Sequence, residues 1–469
     1  MDDALSDELL HEIFRRLPPS PDVSLVSKRW LSVHRQSLTS ISLRSPPSLP
    51  AFSSLLSNLP SLSSVSVSVS VTASPLSPLL FLSLSHLCPN LRSLSFLPFP
   101  LSPPSLSLLS RNCPRLSSLS LSLSRPLRFP WLLLFPSLRE LSVLASDYPS
   151  YDLCDDSAES CHDDVVPGDD ARELWLESLS LTAIKGDDFG VCWLWRRCGK
   201  LRRLALNSCE GIGTDADQED GYFWFLRCLK GIKEVEIRIC RSIVDEILSK
   251  LAENCERLVS LLLHDGGGDG ALLRFLNIHR CNLESIDFRL PMDLSNDHLL
   301  ALSSNCGSLV SFKVQSCFLG TSEGLKSLAA ATGDRLRELQ LIHCDVVDRE
   351  RGLLPALGQQ LRHLTNLDLS CNVMLEDKGL VSMLASCDQL VDLGLRGCRS
   401  LTSNAVIAVS RSCVRIKYVD IADCPNIEEK AVEFLVSNSP WLRRVTVEKS
   451  KVSNVTKRTA SRKSIEIVG

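Results

Sequence analysis

One apolar phrase recurs along this chain: leucine, two residues, leucine, one residue, leucine. Its clearest copies are Leu336-Leu339-Leu341, Leu364-Leu367-Leu369, Leu390-Leu393-Leu395, Ile416-Val419-Ile421 and Leu442-Val445-Val447, with first positions 28, 26, 26 and 26 residues apart. Further copies begin at Leu309, Leu283, Leu258, Ile232, Leu201, Leu176, Leu138, Leu116, Leu91, Leu62 and Leu38, which brings the number of candidate repeats to 16. The alternation within each phrase suits a short strand. The stretches between phrases, such as 295–304, 376–384 and 403–412, place apolar residues at helical spacing behind a polar starter. A unit of one strand and one helix cannot bury its apolar face alone, so successive units must stack, each touching only its neighbours.

A period in this range with this apolar spacing is that of a leucine-rich repeat. The expected fold is therefore α/β: a leucine-rich-repeat horseshoe solenoid of about 16 repeats, strands inside and helices outside. It is of a cysteine-containing type. The chain has 19 cysteines and no C-x-x-C pair, which removes the strongest zinc and redox signatures. Cys317, Cys344, Cys371, Cys398 and Cys424 keep the repeat period and close the strand segments, where a small buried side chain fits a tight turn. Cys88, Cys113, Cys255, Cys281, Cys306, Cys387 and Cys413 form a second periodic set just ahead of the strands. These read as reduced structural thiols, suited to a reducing compartment.

The formal charge of −4 gives no general drive toward nucleic acid or an anionic membrane. The acidic start Met1-Asp2-Asp3-Ala4 lacks the features of a secretion signal, and no apolar run approaches the ~20 residues of a membrane span. The expected setting is the cytoplasm, the nucleus or both. Two stretches depart from the period. Residues 147–170 hold nine acidic residues in 24 and neither Lys nor Arg, as a disordered surface insertion would. Residues 448–469 carry Lys449, Lys451, Lys457, Arg458, Arg462 and Lys463 and read as a solvated basic tail beyond the solenoid of 37–447.

Residues 1–36 do not fit the repeat. Ser6-Asp7-Glu8 is a helix start, Leu9, Leu10, Ile13, Phe14 and Leu17 follow at helical spacing, and Pro18-Pro19 ends the helix. A second amphipathic run, Val23 to Leu31, carries Trp30. So small a module cannot bury this much apolar surface by itself. The segment Leu5-Ser6-Asp7-Glu8-Leu9-Leu10-His11-Glu12-Ile13-Phe14-Arg15-Arg16-Leu17-Pro18, followed by Leu25-Val26-Ser27-Lys28-Arg29-Trp30, resembles the F-box. With cysteine-containing repeats behind it, the chain resembles the F-box/LRR family, the plant-like substrate receptors of SCF-type ubiquitin ligases. Leu5-Ser6 stands where that motif usually carries proline, and the stretch from Leu17 to Val26 is shorter than usual. The resemblance implies a non-catalytic receptor that holds a Skp-family adaptor, and through it a cullin, while presenting a protein substrate for ubiquitin-dependent degradation. It assigns adaptor binding to Leu5, Leu9, Leu10, Ile13, Phe14, Leu17, Val26 and Trp30.

No catalytic, cofactor or metal constellation competes with this reading. His11-Glu12 lacks the second histidine of a zinc protease helix, since position 15 is Arg15, and Gly266-Gly267-Gly268-Asp269-Gly270 lacks the Gly-Lys-Ser/Thr of a phosphate loop. Strand alternation places positions three, five and seven of each phrase on the inner surface. In the N-terminal copies these are nearly all serine, whereas from Ile232 onward they are charged or amide-bearing. The expected substrate contacts are Asp287, Arg289, Lys313, Glu338, Asp368, Asp392, Arg396, Tyr418 and Asp420, a net-acidic set suited to a basic protein segment. Two other readings stay open: a scaffold or inhibitor capped by the N-terminal helices, and a hormone-sensing receptor of the same architecture.

Overall fold

A computed structural model of the chain describes residues 5–17, 23, 25–44, 48–68, 77–148, 172–213, 219–265, 270–278, 282–291, 294–319 and 321–469. The chain divides into two compact units, Met1–Gly231 and Ile232–Gly469. The first opens with helices α1 (Asp7–Arg16) and α2 (Lys28–Ser37). Strands β1 (Ser40–Leu43), β2 (Ser64–Val67), β3 (Ser93–Pro100), β4 (Ser118–Ser124), β5 (Glu140–Ser146), β6 (Ser178–Thr182) and β7 (Arg203–Asn207) follow, each parallel to the next. The second unit stacks β8 (Glu234–Arg238), β9 (Ser260–His264), β10 (Ser285–Arg289), β11 (Ser311–Cys317) and β12 (Glu338–Cys344). It continues through β13 (Asn366–Asp368), β14 (Asp392–Gly394), β15 (Tyr418–Asp420), β16 (Arg444–Thr446) and β17 (Glu466–Val468), again all parallel. Each unit is thus a stack of leucine-rich repeats.

All sixteen first positions read from the sequence fall two residues ahead of a strand. From Leu62 onward positions one, four and six are buried, as at Leu283, Ile286 and Phe288, while three, five and seven are mostly half-exposed, as at Ser285, Asp287 and Arg289. Each fully buried side chain of this kind contributes about 1.5–3 kcal/mol, three per repeat, against the entropy of ordering the coil. The return segments include helices Asn296–Asn305, Asp377–Leu384 and Ser403–Ser412. The first of them starts at Ser295, whose N–H donates to Nδ1 of His298 at 3.2 Å.

Position eight holds a feature that the periodicity did not disclose. From β6 through β15 the residue there has positive φ in every repeat: Ala183, Ser208, Ile239, Asp265, Leu290, Ser316, His343, Cys371, Gly397 and Asp423. Only one of these is glycine, although the left-handed region costs other residues roughly 1 kcal/mol or more. The geometry explains why it persists. In seven of the ten the position-eight N–H donates to the carbonyl of position seven in the next repeat, as in Asp265 to Arg289 at 2.9 Å and Cys371 to Arg396 at 2.7 Å, and Asp423 N–H donates to Glu448 Oε1 at 2.6 Å instead. The left-handed turn then carries the chain off the sheet.

Position nine closes the turn. Cys209, Cys344, Cys398 and Cys424 are buried there, and their thiols donate to the position-six carbonyls of the preceding repeat: Leu181, Val314, Leu369 and Leu395. Cys371 breaks the series that the sequence suggested. It sits at position eight and is exposed, and the closing residue is Asn372. The buried Asn372 amide donates to Leu341 O at 2.8 Å and Leu369 O at 2.7 Å, and its Oδ1 accepts from Cys344 N at 2.9 Å. The second cysteine set lies at helix ends, where the Cys113 and Cys413 N–H groups cap Leu109 and Val409; Cys281 lies outside the described residues. Burial pushes the Cys88 thiol up to about 11 and those of Cys113 and Cys317 up to about 12.

Three further expectations change. The second N-terminal helix starts at Lys28 rather than Val23, because Ser27 caps it by accepting from Trp30 N at 3.1 Å. Residues 448–469 are not a loose tail: they form helix Asn454–Lys463 and β17, whose Ile467 pairs with Val445. Of the acidic stretch 147–170 only Asp147 and Tyr148 are described, and of the Gly266–Gly270 run only Gly270. Asp147 is tied down by Arg125 Nη1 at 2.7 Å and Lys185 Nζ at 3.2 Å. The same Arg125 pairs through Nε with the buried Asp188 at 2.9 Å.

Asn372→Ala should cost about 3 kcal/mol, since it leaves two carbonyls and an N–H without their partner. Asn372→Cys should cost less, because a thiol there reaches the carbonyl its counterparts use. Urea denaturation followed by circular dichroism distinguishes the two; equal losses would mean that position nine is not equivalent along the stack.

Candidate functional site

Two surfaces collect the residues singled out by the sequence. The first is the N-terminal helical pair. Ser6 caps α1 by accepting from Leu9 N at 3.3 Å, and Arg29 clasps the helices together through Asp7 Oδ1 and Leu5 O at 2.7 and 2.6 Å. Leu10, Phe14 and Val33 are buried between them, with Trp30 packed alongside and its ring 5.3 Å from that of Phe14. The eight predicted contacts therefore divide. Leu10 and Phe14 are spent inside the pair and Trp30 is half-buried, whereas Leu5, Leu9, Ile13, Leu17 and Val26 face solvent. Leu25, which the sequence reading passed over, is the most exposed of all at 82%. Exposed apolar side chains this dense on so small an element are the mark of a surface awaiting a partner.

The second surface is the inner face of the unit Ile232–Gly469. In-register pairing lines up the fifth positions Asp287, Lys313, Gln340, Asp368, Gly394 and Asp420 across β10 to β15. The third positions Glu338, Asn366, Asp392 and Tyr418 align likewise beside them. All nine predicted residues stand on this face, but in two electrostatic groups. In the first, Arg289 takes Asp287 on its own strand at 2.8 Å and Lys313 reaches across to Glu338 at 2.9 Å. Burial alone would raise the Glu338 carboxyl, yet hydrogen bonds from Lys313 and Ser311 hold it below its ordinary value. That group is internally neutralised.

The second group keeps its negative charge. Arg396 pairs with Asp420 and Asp423, each at 3.2 Å, and Asp368 accepts from Ser370 N at 2.9 Å. The Asp392 carboxyl has no hydrogen-bond or ion-pair partner among the described residues. Its carboxyl is pushed up by burial first and by Asp368, Glu338 and Asp420 after that. Gly394 sits in the middle of the group, where a Cβ would meet Asp368 Oδ1 at 2.5 Å and displace that carboxylate. What remains is an acidic floor with one carboxylate held where charge is disfavoured. The sequence revealed these charges but not their pairing, which depends on cross-strand register. Among the described residues no group of three His, Cys, Asp or Glu side chains is arranged to hold a metal ion, and no helix is long and apolar enough to cross a membrane.

Because the folded state raises the Asp392 carboxyl above its unfolded value, it binds the proton more tightly than the unfolded chain does. Ionising it therefore costs stability as pH rises through the carboxylate range. Asp392→Asn should raise the melting temperature at neutral pH, with the gain shrinking as pH falls below that range. A gain independent of pH in paired thermal melts would contradict this origin.

No family model matches the chain. Among curated proteins it is similar to the F-box/LRR-repeat MAX2 homolog of Oryza sativa subsp. japonica, 24% identical over 197 residues that cover 40% of this chain and 27% of the relative. It is also similar to F-box protein MAX2 homolog A of Petunia hybrida, 28% identical over 179 residues, 34% of this chain and 25% of the relative. The matches thus span about a quarter of the length of these curated relatives. Among solved structures, a chain from the crystal structure of the yeast Rad7 and Elc1 complex aligns over 99% of this chain and 92% of its own, at 15% identity and a TM-score of 0.45. With its stacked leucine-rich repeats behind an N-terminal helical pair, the chain is similar to these F-box/LRR relatives.

Proposed function

We propose that this protein is the substrate-recognition subunit of an SCF-type ubiquitin ligase. The N-terminal pair binds a Skp-family adaptor and, through it, a cullin. The inner face of the second unit holds a protein substrate, and degradation follows from ubiquitin transfer by other subunits. The chain itself contributes proximity, keeping a substrate lysine near a charged conjugating enzyme, and makes or breaks no bond. The observation that carries the reading is the solvent-facing apolar row Leu9, Ile13, Leu17, Leu25 and Val26 on a pair whose own core is already filled by Leu10, Phe14 and Val33. Buried apolar anchors dominate interface energies. Substrate choice is assigned to the acidic group around Asp392, which favours a basic segment.

Ile13→Ala with Leu17→Ala removes exposed anchors without touching the helical core, so the melting temperature should hold while co-purification of a recombinant Skp-family adaptor is lost. Retained adaptor binding would overturn the assignment and leave a capped scaffold. Exposed ion pairs are individually worth about 0–1 kcal/mol, so the inner face calls for a joint change. Asp368→Lys, Asp392→Lys and Asp420→Lys together should abolish substrate capture and ubiquitination in a reconstituted ligase while adaptor binding persists. Normal capture by that triple variant would place the substrate elsewhere.

A further inference from the structure

The strands of the first unit begin along an edge whose chemistry is the reverse of the acidic inner face. Just ahead of β3 to β7, the carbonyl of phrase position two accepts from the next repeat's N–H, and this forms an unbroken ladder through Arg92, Ser117, Arg139, Glu177 and Arg202. The ladder holds these residues one strand apart, about 4.8 Å per step. Arg92, Arg139 and Arg202 are all exposed on it, and Arg92 and Arg202 make no ion pair among the described residues. Arg139 reaches Glu177 only at 3.5 Å.

Between the cations stands Trp175, the residue before Leu176, which is 51% exposed. Lys200, from the repeat after it, lies over its ring at 2.9 Å from the centroid, and Arg139, from the repeat before it, at 5.1 Å. An exposed indole flanked in this way is a pre-set anchor: cation–π contacts hold it in place, and tryptophan and arginine are the residues enriched at binding hot spots. The acids on the edge, Glu173 and Glu177, are outnumbered by Arg92, Arg139, Lys200 and Arg202.

We propose that this edge is a second protein-docking surface, separate from the inner face of the second unit, and that it takes an acidic protein segment carrying an aliphatic side chain. The segment runs across the strand starts, its carboxylates on Arg92, Arg139 and Arg202 and its apolar residue against the free rim of Trp175. A single-stranded nucleic acid fits less well despite its charge, because base stacking needs an open aromatic face and Lys200 already lies over the Trp175 ring, with Arg139 beside it.

The test uses the full chain and fluorescence anisotropy with three probes: a labelled Glu/Asp-rich peptide containing leucine, its Lys-for-Glu counterpart, and a single-stranded DNA oligonucleotide of the same charge. The acidic peptide should bind, weaken as salt rises, and outcompete both other probes. Arg92→Glu with Arg202→Glu, both exposed and without an ion pair among the described residues, should weaken it by about tenfold or more, equivalent to about 1.4 kcal/mol. Trp175→Phe should weaken it less than Trp175→Ala, with thermal melts confirming that each variant folds. Absence of salt-dependent peptide binding, binding unchanged in the double variant, or tighter binding of the oligonucleotide would each overturn the proposal.

Discussion

From β6 through β15 the structure depends on one constraint: each coil leaves the sheet at the same place and in the same way, which keeps the next coil in register. Here that place is position eight, where ten successive residues of unlike chemistry accept a left-handed backbone. Residues such as Ile239 and Leu290 bear that cost because the alternative is worse. A repeat that turned earlier would leave its neighbour's position-seven carbonyl without a donor, and an unmet buried hydrogen bond costs about 1–3 kcal/mol. The buried cysteines and Asn372 at position nine complete the turn by meeting the carbonyl at position six. Thiol and amide are interchangeable in this role because each is small, buried and able to donate.

With the turn and the core assigned to positions one, four, six, eight and nine, the remaining strand positions carry no packing duty. Their side chains are free to differ between the two units. In the first unit they are mostly serine; in the second they are charged, and register decides what the charges do. Lys313 is paired with Asp287 across the ladder yet satisfies Glu338 on the other side, so one half of the face is neutral. The strand carrying Gly394 brings Asp392 between Asp368 and Asp420 with no cation of its own strand set against it, so the other half is acidic. Charge complementarity of this kind sets specificity and encounter rate more than raw affinity.

The N-terminal pair illustrates a different economy. Its core is Leu10, Phe14 and Val33 with Val23 and the Trp30 indole packed on them, closed by the Arg29 clasp, and Leu9, Ile13, Leu25 and Val26 stay exposed. A module so small cannot hide its apolar residues, and those left over form an exposed row. The edge at Trp175 follows a related logic in reverse: there the aromatic is fixed by cations at its flanks and the charge is what remains open.

Much of this was legible in the residues themselves. Apolar periodicity is a local property, so all sixteen phrase positions fell ahead of strands, and helix Ser403–Ser412 matched to the residue. The seventeenth coil was not, because its phrase reads Ser464, Ile467 and Gly469, and only pairing of Ile467 with Val445 makes it a strand. Cys371 misled for a related reason: its interval from Cys344 matched the period, while the register of the turn put Asn372 in the buried place. The identity of exposed apolar residues around α1 was likewise readable only as a pattern; which of them lie between the helices and which face solvent was decided by packing. Sequence determined the repeat, its period and the kinds of side chain offered to each face. Tertiary structure decided which carboxylate has a cation, which leucine has a neighbour and which thiol meets water, because those depend on residues brought together from different coils.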